Sequence, residues 1–352
     1  GLWKNNEGYT DAGPFLILSG GDNWTGPAIS TWTKGESMVD VMNAMGYDAT
    51  AIGNHEFDFK VDVLNQRIGQ ADFPFLSANI RKKGADDIPG FATPYTVVEV
   101  NGVKVGLIGL SSLSTPYTTF PDNVKDYDFI SYDTALEEIV PQVKAEGGEL
   151  LIVAGHICRA EMVELAPLAA QLGITLIGGG HCHEVVNESI NGVTLVQAGC
   201  CMKYYIKVDI SFDPVTDTVV SMTTNTVENR GGTPDPEIAD IVSGWQDRVN
   251  ETLAEVIGYA DQEIGMRTHG MYNMATDSML TAYPAADISF TNIGGIRQSI
   301  PAGDITVGTI VGVLPFENEM VQLELTGAQI VDCVEDLIMG GMTTIGGYKL
   351  AD

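Results

Sequence analysis

Short apolar runs that end in glycine, each followed by polar residues, recur through the first half of this chain and constrain its fold most. The runs are FLILSGGD (15–22), ATAIGNH (49–55), VKVGLIGLSS (103–112), LLIVAGH (150–156) and ITLIGGGHCH (174–183). Runs of this kind are typical of buried strands. Helix-like stretches lie between them at 134–147 and 161–173, where we expect Pro141 and Pro167 to interrupt the helices. The alternation predicts an α/β or α/β/β layered domain.

The chain changes character near residue 230. The stretch 214–234 is polar and rich in threonine, glycine and proline. After it, apolar residues repeat at intervals of three and four, which predicts an amphipathic helix capped by Asp235 and ended by Gly258. Because 352 residues exceed the usual size of one core, we predict a first domain over 1–230, a connector helix over 231–258 and a second domain over 259–352.

The composition excludes several kinds of protein. Hydrophobic residues make up 44% and charged residues 18% of the chain, which describes a globular protein. No apolar run reaches the roughly 18 residues that a membrane helix needs. The 47 acidic residues against 18 basic ones give a net charge of −29, which repels nucleic-acid polymers and anionic membranes. The five cysteines include one adjacent pair and no C-x-x-C, so no disulfide scaffold is predicted.

Residues that can bind a metal ion come directly after the predicted strands. Asp22, Asn54, His156 and His181 each follow an apolar run, and His183 stands two residues further on. In open α/β sheets the loops at the carboxyl ends of strands form the ligand crevice. Alone, each residue is more often a helix cap, a turn former or a solvated loop residue than a metal ligand. Together, these oxygen and imidazole donors predict a metal site.

The spacing of GGHCH predicts the directions of its side chains. In a regular strand His181 and His183 point to the same face and Cys182 to the other. We therefore expect both histidines to face the metal site and Cys182 to be packed in the interior. The remaining histidine outside these blocks, His269, is interpreted as a surface or domain contact.

Seven blocks carry a resemblance to known families. GGDNWTG (20–26), GNHEFD (53–58), AGH (154–156) and GGHCH (179–183) resemble signature blocks of the calcineurin-like metallophosphoesterases. Downstream, YNMATDSM (272–279), FTNIGGIR (290–297) and VLPFEN (313–318) resemble the carboxyl-terminal domain of the 5′-nucleotidase family. The order and spacing of these blocks match over nearly the whole chain. The resemblance implies a four-layer α/β/β/α sandwich followed by a smaller α/β substrate-binding domain.

The resemblance also implies two divalent metal ions, zinc, manganese or similar. Asp22 would bridge them, Asn54, His156 and His181 would complete one site, and His183 would ligate the other metal. A hydroxide activated by both metals would attack phosphorus in line.

A histidine and an aspartate in GNHEFD receive catalytic roles from the same resemblance. His55 would stabilise charge on the phosphate in the transition state rather than bind metal, and Asp58 would orient its imidazole. The two residues are three apart on a helical turn and so lie on one face. A carboxylate beside an imidazole raises the pKa of the imidazole.

Substrate binding is assigned by resemblance to the second domain. Arg297 would contact the phosphate or ribose, Asn292 the base or sugar, and Phe316 would stack on the base. Gly294 would let the backbone approach the ligand, and Arg267 would be a second substrate arginine. From the residues alone, a surface ion pair for Arg297 and a core aromatic for Phe316 are the favoured interpretations.

The resemblance implies a hydrolase of nucleotide catabolism, a 5′-nucleotidase that acts on a small-molecule nucleotide outside the cell, in the periplasm or at the cell surface. Alternatives on the same scaffold are a 2′,3′-cyclic nucleotide phosphodiesterase with 3′-nucleotidase activity and a sulfur-ester hydrolase. A catalytically dead nucleotide-binding surface protein is a third. The family's first block, Asp-x-His, and its carboxyl-terminal end are missing from the sequence, so the chain is interpreted as a fragment of a longer protein.

Overall fold

The chain divides into two units in the structure, a computed structural model that describes Gly8, residues 13–339 and the backbone of residues 343–348. The first unit comprises Gly1–Trp24 and Gly35–Val242, and the second comprises Thr25–Lys34 and Ser243–Asp352.

The elements of the first unit alternate between strands and helices. Its strands are β1 (Leu18–Ser19), β2 (Ala49–Ala51), β3 (Phe75–Leu76), β4 (Ile80–Lys82), β5 (Tyr95–Val100), β6 (Val103–Leu110), β7 (Tyr127–Phe129), β8 (Leu150–Gly155), β9 (Ile174–Gly178), β10 (Val185–Ile190), β11 (Val193–Ala198), β12 (Tyr204–Asp213) and β13 (Thr218–Glu228). The α-helices among the described residues of both units are α1 (Ala28–Trp32), α2 (Glu36–Met45), α3 (Lys60–Gln70), α4 (Thr115–Thr118), α5 (Pro121–Val124), α6 (Tyr132–Ala145), α7 (Arg159–Leu172), α8 (Pro236–Leu253), α9 (His269–Ala282), α10 (Val307–Val313) and α11 (Gly327–Met339).

A six-stranded sheet of order β10-β11-β9-β8-β6-β5 forms the centre of the first unit. Strands β6, β8, β9 and β11 are parallel, while β5 and β10 pair antiparallel at the edges. Successive side chains of a strand point to opposite faces. Accordingly, Ile108 of β6 packs in a core with Leu136 of α6 and Leu165 of α7, while Leu107 packs in the core on the other face.

The second face of this sheet packs against another sheet. Strands β1, β2 and β3 form a parallel three-stranded sheet. Ala49 and Leu76 of that sheet share a buried cluster with Leu107, and Ile210 of the β12–β13 hairpin packs against it. Gly109 is required where β3 passes, because a Cβ there would lie 2.2 Å from the carbonyl carbon of Leu76.

Helices α2 and α3 cover the outer face of the three-stranded sheet. Val39 of α2 and Leu64 of α3 lie in one cluster with Phe75 and the fully buried ring of Trp24. The layers therefore run helix, sheet, sheet, helix, which confirms the predicted α/β/β/α sandwich.

Both α6 and α7 continue through their prolines, so the predicted interruption is wrong. Pro141 and Pro167 each remove one backbone donor from the helix. The flanking residues Val140, Val143 and Ala166 are buried against the central sheet. This packing stabilises the helices in spite of the missing hydrogen bonds.

The second unit has a separate small core. Its strands are β14 (Val256–Ala260), β15 (Ile288–Asn292), β16 (Gly303–Thr306) and β17 (Thr343–Tyr348), which pair antiparallel as β14-β16 and β15-β17. Met271 and Ala275 of α9 pack with Ala260, Ile300 and Val313.

The helix predicted after residue 230 is α8. Its start agrees with the prediction, since Asp235 Oδ1 accepts the backbone N–H of Glu237 at 3.1 Å. It ends at Leu253 rather than near Gly258, which instead lies in β14. Of the helices described, none combines the length and the apolarity that crossing a membrane requires.

Candidate metal centre and its surroundings

Four parallel strands deliver polar residues to one place. Asp22 follows β1, Asn54 follows β2, His156 follows β8 directly, and His181 follows β9. Strand β1 pairs with β2 and β8 pairs with β9, both in parallel. Within each of the two sheets the carboxyl ends of parallel strands open on one edge, and the contacts of His156 with Asp22 and Asn54 show that these two edges meet.

His156 lies at the centre of this group. Its Nε2 is 3.0 Å from Asp22 Oδ2, 3.1 Å from Asn54 Oδ1 and 3.1 Å from His181 Nδ1. Ligand atoms of Asp22, His156 and His181 all lie within 4.8 Å of one another. The structure therefore brings together four of the five residues predicted to bind metal.

Outward hydrogen bonds fix which atom each residue presents to the centre. His156 Nδ1 donates to the carbonyl of Gly20 at 2.6 Å, which leaves Nε2 facing inward. The Nε2 of His181 pairs with Ser114 Oγ at 3.0 Å, so its Nδ1 faces inward. Asn54 Nδ2 donates to the carbonyl of Thr118 at 2.9 Å, which directs its Oδ1 to the centre. Such outer partners are what orient metal ligands in proteins.

The inward-facing atoms fit a cation. An imidazole nitrogen carries at most one proton, so Nε2 of His156 cannot donate simultaneously to Asp22, Asn54 and His181. A metal ion among these atoms would satisfy all of them at once. The set of two imidazole nitrogens, one carboxylate and one amide oxygen suits zinc, manganese and related divalent ions.

Burial and charge shift the pKa values of these groups. Burial by itself raises the pKa of Asp22, but the neighbouring His156 and His55 outweigh it and hold that pKa well below its usual range. Burial lowers the pKa of His156, yet attraction to Asp22 outweighs it and raises the pKa to about 9. Burial and then His156 lower the pKa of His181. A metal ion held by these residues would compete with a proton for the inward-facing nitrogen of His156.

Glu56 supports the loop that carries Asp22, and sequence reasoning missed it. The side chain is 1% exposed, and Oε2 accepts the backbone N–H groups of Gly53 at 2.6 Å and Asp22 at 2.9 Å. Oε1 accepts the N–H of Asn23 at 2.7 Å. Burial and the charge of Asp22 raise the pKa of Glu56 to about 7. The signal available was its place inside the block GNHEFD, between His55 and Asp58.

The backbone beside Glu56 is tightly constrained. Asp22 adopts a left-handed φ of 58°. A Cβ on Gly53 would lie 2.2 Å from Asp22 Oδ1, so only glycine fits there. These constraints explain the glycine that precedes Asn54 in the sequence.

His55 and Asp58 form the predicted pair at the rim of the centre. His55 Nδ1 lies 2.8 Å from Asp58 Oδ2 in the turn around a short 3-10 helix (His55–Phe57). Asp58 Oδ1 accepts the hydroxyl of Thr119 at 2.9 Å. The backbone N–H of His55 donates to Asp22 Oδ1 at 2.8 Å, and His55 Nε2 is 4.0 Å from Asp22 Oδ2. Asp58 thus orients the imidazole with Nε2 beside the metal ligands.

The segment that carries His181 and His183 departs from the predicted strand. Strand β9 ends at Gly178, and the two histidines have left-handed φ values of 67° and 57°. The alternation of a strand therefore does not apply. His183 lies on an exposed stretch outside the group of three ligand residues found among the described residues.

Cys182 is exposed and forms a disulfide with Cys158, so the prediction that it packs in the interior is wrong. The two Cα atoms are 5.2 Å apart. Cys158 caps α7, two residues after His156, and Cys182 directly follows His181. The disulfide therefore ties together the two loops that carry these histidines.

In the second unit three of the predicted substrate residues meet. The guanidinium carbon of Arg297 lies 5.4 Å from the ring centroid of Phe316, and Nη1 donates to the carbonyl of Gly294 at 3.2 Å. Asn292 is exposed at the end of β15. Arg267 is exposed just before α9. Arg297 is thus held against an aromatic face, with its backbone N–H bonded to Val313 O at 2.9 Å.

Comparison with known proteins gives consistent matches. Residues 253–348 match the family model described as 5′-nucleotidase, C-terminal domain. The chain is 29% identical over 388 residues to the trifunctional nucleotide phosphoesterase protein YfkN of Bacillus subtilis, across 95% of this chain and 26% of that protein. It is 29% identical over 364 residues to 5′-nucleotidase of Bos taurus, across 91% of this chain and 62% of that protein.

A solved structure extends these matches to the fold. The crystal structure of a 5′-nucleotidase precursor from Thermus thermophilus matches with a TM-score of 0.80 and 27% identity, across 91% of this chain and 68% of that one. The chain spans less than two thirds of the length of the two curated relatives.

Proposed function

We propose that this chain is a member of the 5′-nucleotidase family and that it hydrolyses nucleotide phosphoesters, converting nucleoside monophosphates to nucleoside and phosphate. One observation carries the proposal. The inward-facing atoms of Asp22, Asn54, His156 and His181 lie where they could hold a metal ion, and the His55–Asp58 pair lies beside them.

Asp22, Asn54, His156 and His181 would hold one metal ion. Asp22 and His183 would hold a second, although His183 must then turn toward the centre. Bound metals supply a nucleophilic hydroxide at neutral pH and neutralise charge on the phosphoryl oxygens. Asn54 offers a neutral oxygen, which leaves more positive charge at the centre for an anionic phosphate than a carboxylate would leave.

His55 would act on the transferred phosphoryl group. Asp58 accepts a hydrogen bond from Nδ1, so a proton on Nε2 is directed to the rim of the centre. That proton can stabilise charge on the phosphate and protonate the leaving oxygen. Thr119 fixes the other oxygen of Asp58, which restricts the imidazole to one orientation.

The second unit would bind the nucleoside portion. Phe316 offers an aromatic face for a base, and Arg297 offers hydrogen-bond donors to a phosphate or ribose. Asn292 and Arg267 would add polar contacts from exposed positions. A nucleotide is thus a fitting substrate for a chain whose overall charge repels longer nucleic acids.

The disulfide supports a location outside the cytoplasm. Cys158 and Cys182 are paired in the structure. Disulfides persist in the periplasm, at the cell surface and outside the cell, and are rare in reducing compartments. We propose one of these oxidising locations for the protein.

The test is phosphate release from AMP by the full-length protein. We expect a rate that a chelator abolishes and that added manganese or zinc restores. The variant His156→Ala should bind less metal and release no phosphate above background. Activity that survives complete removal of metal would overturn the proposal. Release from a cyclic 2′,3′-nucleotide but not from AMP would replace it with the phosphodiesterase alternative.

A further inference from the structure

Three sulfur-containing side chains occur in succession between β11 and β12. Cys200, Cys201 and Met202 lie in a turn closed by the backbone N–H of Lys203, which donates to Cys200 O at 3.1 Å. Both central residues are left-handed, with φ of 59° at Cys201 and 54° at Met202. Two such residues make a type I′ turn, where glycine and asparagine are favoured. A turn that only reverses the chain favours glycine or asparagine at these two positions. Cysteine and methionine stand there instead, which points to a role beyond the turn itself.

The two thiols lie side by side. The Sγ–H of Cys201 donates to Sγ of Cys200 at 3.0 Å. Cys201 is exposed and Cys200 is half-buried, and both are thiols in the structure. Asn229 Nδ2 donates to Met202 O at 2.9 Å and holds the turn. A small reagent from solvent can therefore approach the pair at Cys201.

The relative position of the two sulfurs favours one coordination geometry over another. Thiolates prefer soft, thiophilic centres. A metal ion with linear coordination needs its two sulfur ligands on opposite sides. The sulfurs of Cys200 and Cys201 lie next to each other and do not provide that arrangement. A pyramidal centre holds two sulfurs side by side, as Cys200 and Cys201 place them.

We propose that Cys200 and Cys201 form a bidentate dithiol site for trivalent arsenicals. The reaction is a substitution without electron transfer. An organoarsonous acid forms one arsenic–sulfur bond with each thiol and breaks two arsenic–oxygen bonds. The two thiol protons leave with the two hydroxyl groups as two water molecules, and arsenic remains trivalent. The proposal is independent of the hydrolytic function, because it involves none of the metal-ligand residues.

Contacts of Met202 and Gly199 connect the dithiol turn to other parts of the first unit. Its sulfur accepts the hydroxyl of Tyr47 at 3.9 Å. Gly199, just before the pair, donates its N–H to Glu184 O at 2.9 Å. The dithiol turn is therefore fixed to the segment that follows His183.

The test uses phenylarsonous acid and intact-mass spectrometry on the full chain, isolated without added reductant. We expect one adduct that resists an excess of a monothiol and is removed by a dithiol, since two bonds must be exchanged. Cys200→Ser and Cys201→Ser should each lose the monothiol-resistant adduct. Cys333→Ser is the matched control, because Cys333 is also exposed, and it should keep the adduct.

Three results would overturn the proposal. The first is a monothiol-resistant adduct that persists in either single serine variant. The second is loss of the adduct in Cys333→Ser. The third is absence of any adduct in the unaltered protein, including the case in which the two thiols are isolated joined as a ring disulfide. Circular dichroism of each variant confirms that the fold is retained.

Discussion

The carboxylate of Glu56 accepts the backbone N–H of Asp22 at 2.9 Å, and this part-buried bond holds the loop that carries the central carboxylate of the candidate metal site. The same side chain accepts the N–H groups of Gly53 and Asn23. One carboxylate thus accepts three backbone N–H groups from the turns after β1 and β2. Glu56 thereby fixes the backbone of the turns that carry Asp22 and Asn54, the candidate metal ligands.

Replacing Glu56 with glutamine tests this role. The amide is almost isosteric, but its NH₂ group must face at least one backbone N–H in the buried cage. A buried donor left without a partner costs about 1–3 kcal/mol, and we expect the free energy of unfolding of the metal-free protein to fall by about that amount. Urea denaturation measures it, and metal content after dialysis should fall as well. Glu164→Gln, on the exposed side of α7, is the control and should change stability by less than about 0.5 kcal/mol. Equal losses in the two variants would refute the positioning role.

Removal of the imidazole at residue 55 separates catalysis from metal binding. We expect His55→Ala to lower kcat by roughly 10²–10⁴ while the bound metal is retained, because general acid assistance is lost but no ligand is. Asp58→Asn should lower kcat by a smaller factor, since the imidazole stays but is no longer oriented by a carboxylate. Metal analysis and steady-state kinetics on AMP give the two readouts. His269→Ala, at the exposed start of α9, should leave both unchanged. Metal loss in His55→Ala would show that the residue is a ligand.

Local patterns were sufficient for part of the site. Asp22, Asn54, His156 and His181 were predicted because each follows an apolar run, and parallel strands carry such residues to one edge. The same runs predict an α/β or α/β/β layered domain, whereas the four-layer sandwich is implied by the resemblance. These features depend on short stretches of sequence and on general rules of sheet topology.

The rest depended on tertiary structure. Cys182 was predicted to be interior because a strand was extended past Gly178, where the backbone turns left-handed. The partner of Cys182 is 24 residues away, and no spacing rule connects the two. Glu56 has a function only because the loops after β1 and β2 converge on it. The prolines of α6 and α7 are tolerated because of packing against the sheet, which the sequence alone does not reveal.

The disulfide between Cys158 and Cys182 should stabilise both the fold and the metal centre. The cysteines are 24 residues apart, and closing a loop of that size stabilises a protein by about 3 kcal/mol through the unfolded state. We expect Cys158→Ala/Cys182→Ala to lose about that much in chemical denaturation. The affinity for metal should also weaken, because His156 and His181 lie on the two loops that the bond joins. Metal titration of the folded protein measures this second effect.

A matched variant distinguishes the disulfide from the loss of sulfur in general. Cys333→Ser should change neither stability nor metal affinity, since Cys333 is an exposed thiol in the second unit. Reduction of the unaltered protein should reproduce the double alanine variant. A double variant with normal metal affinity but lower stability would limit the role of the disulfide to the fold.

The contact between Arg297 and Phe316 leads to a prediction about substrate binding. The guanidinium lies 5.4 Å from the ring centroid, so the side chain is held in place before substrate arrives. A hydrogen bond to a charged group contributes about 1.5–3 kcal/mol, and we expect Arg297→Ala to raise KM for AMP by roughly 10- to 100-fold. Hydrolysis of a small phosphoester without a nucleoside should be unchanged, because that substrate has no group for Arg297 to bind. Arg297→Lys keeps the charge but loses the planar fork of the guanidinium. Its KM for AMP should lie between those of the unaltered protein and of Arg297→Ala. Equal losses on AMP and on the small phosphoester would place Arg297 in the chemical step and contradict a division of labour between the two units.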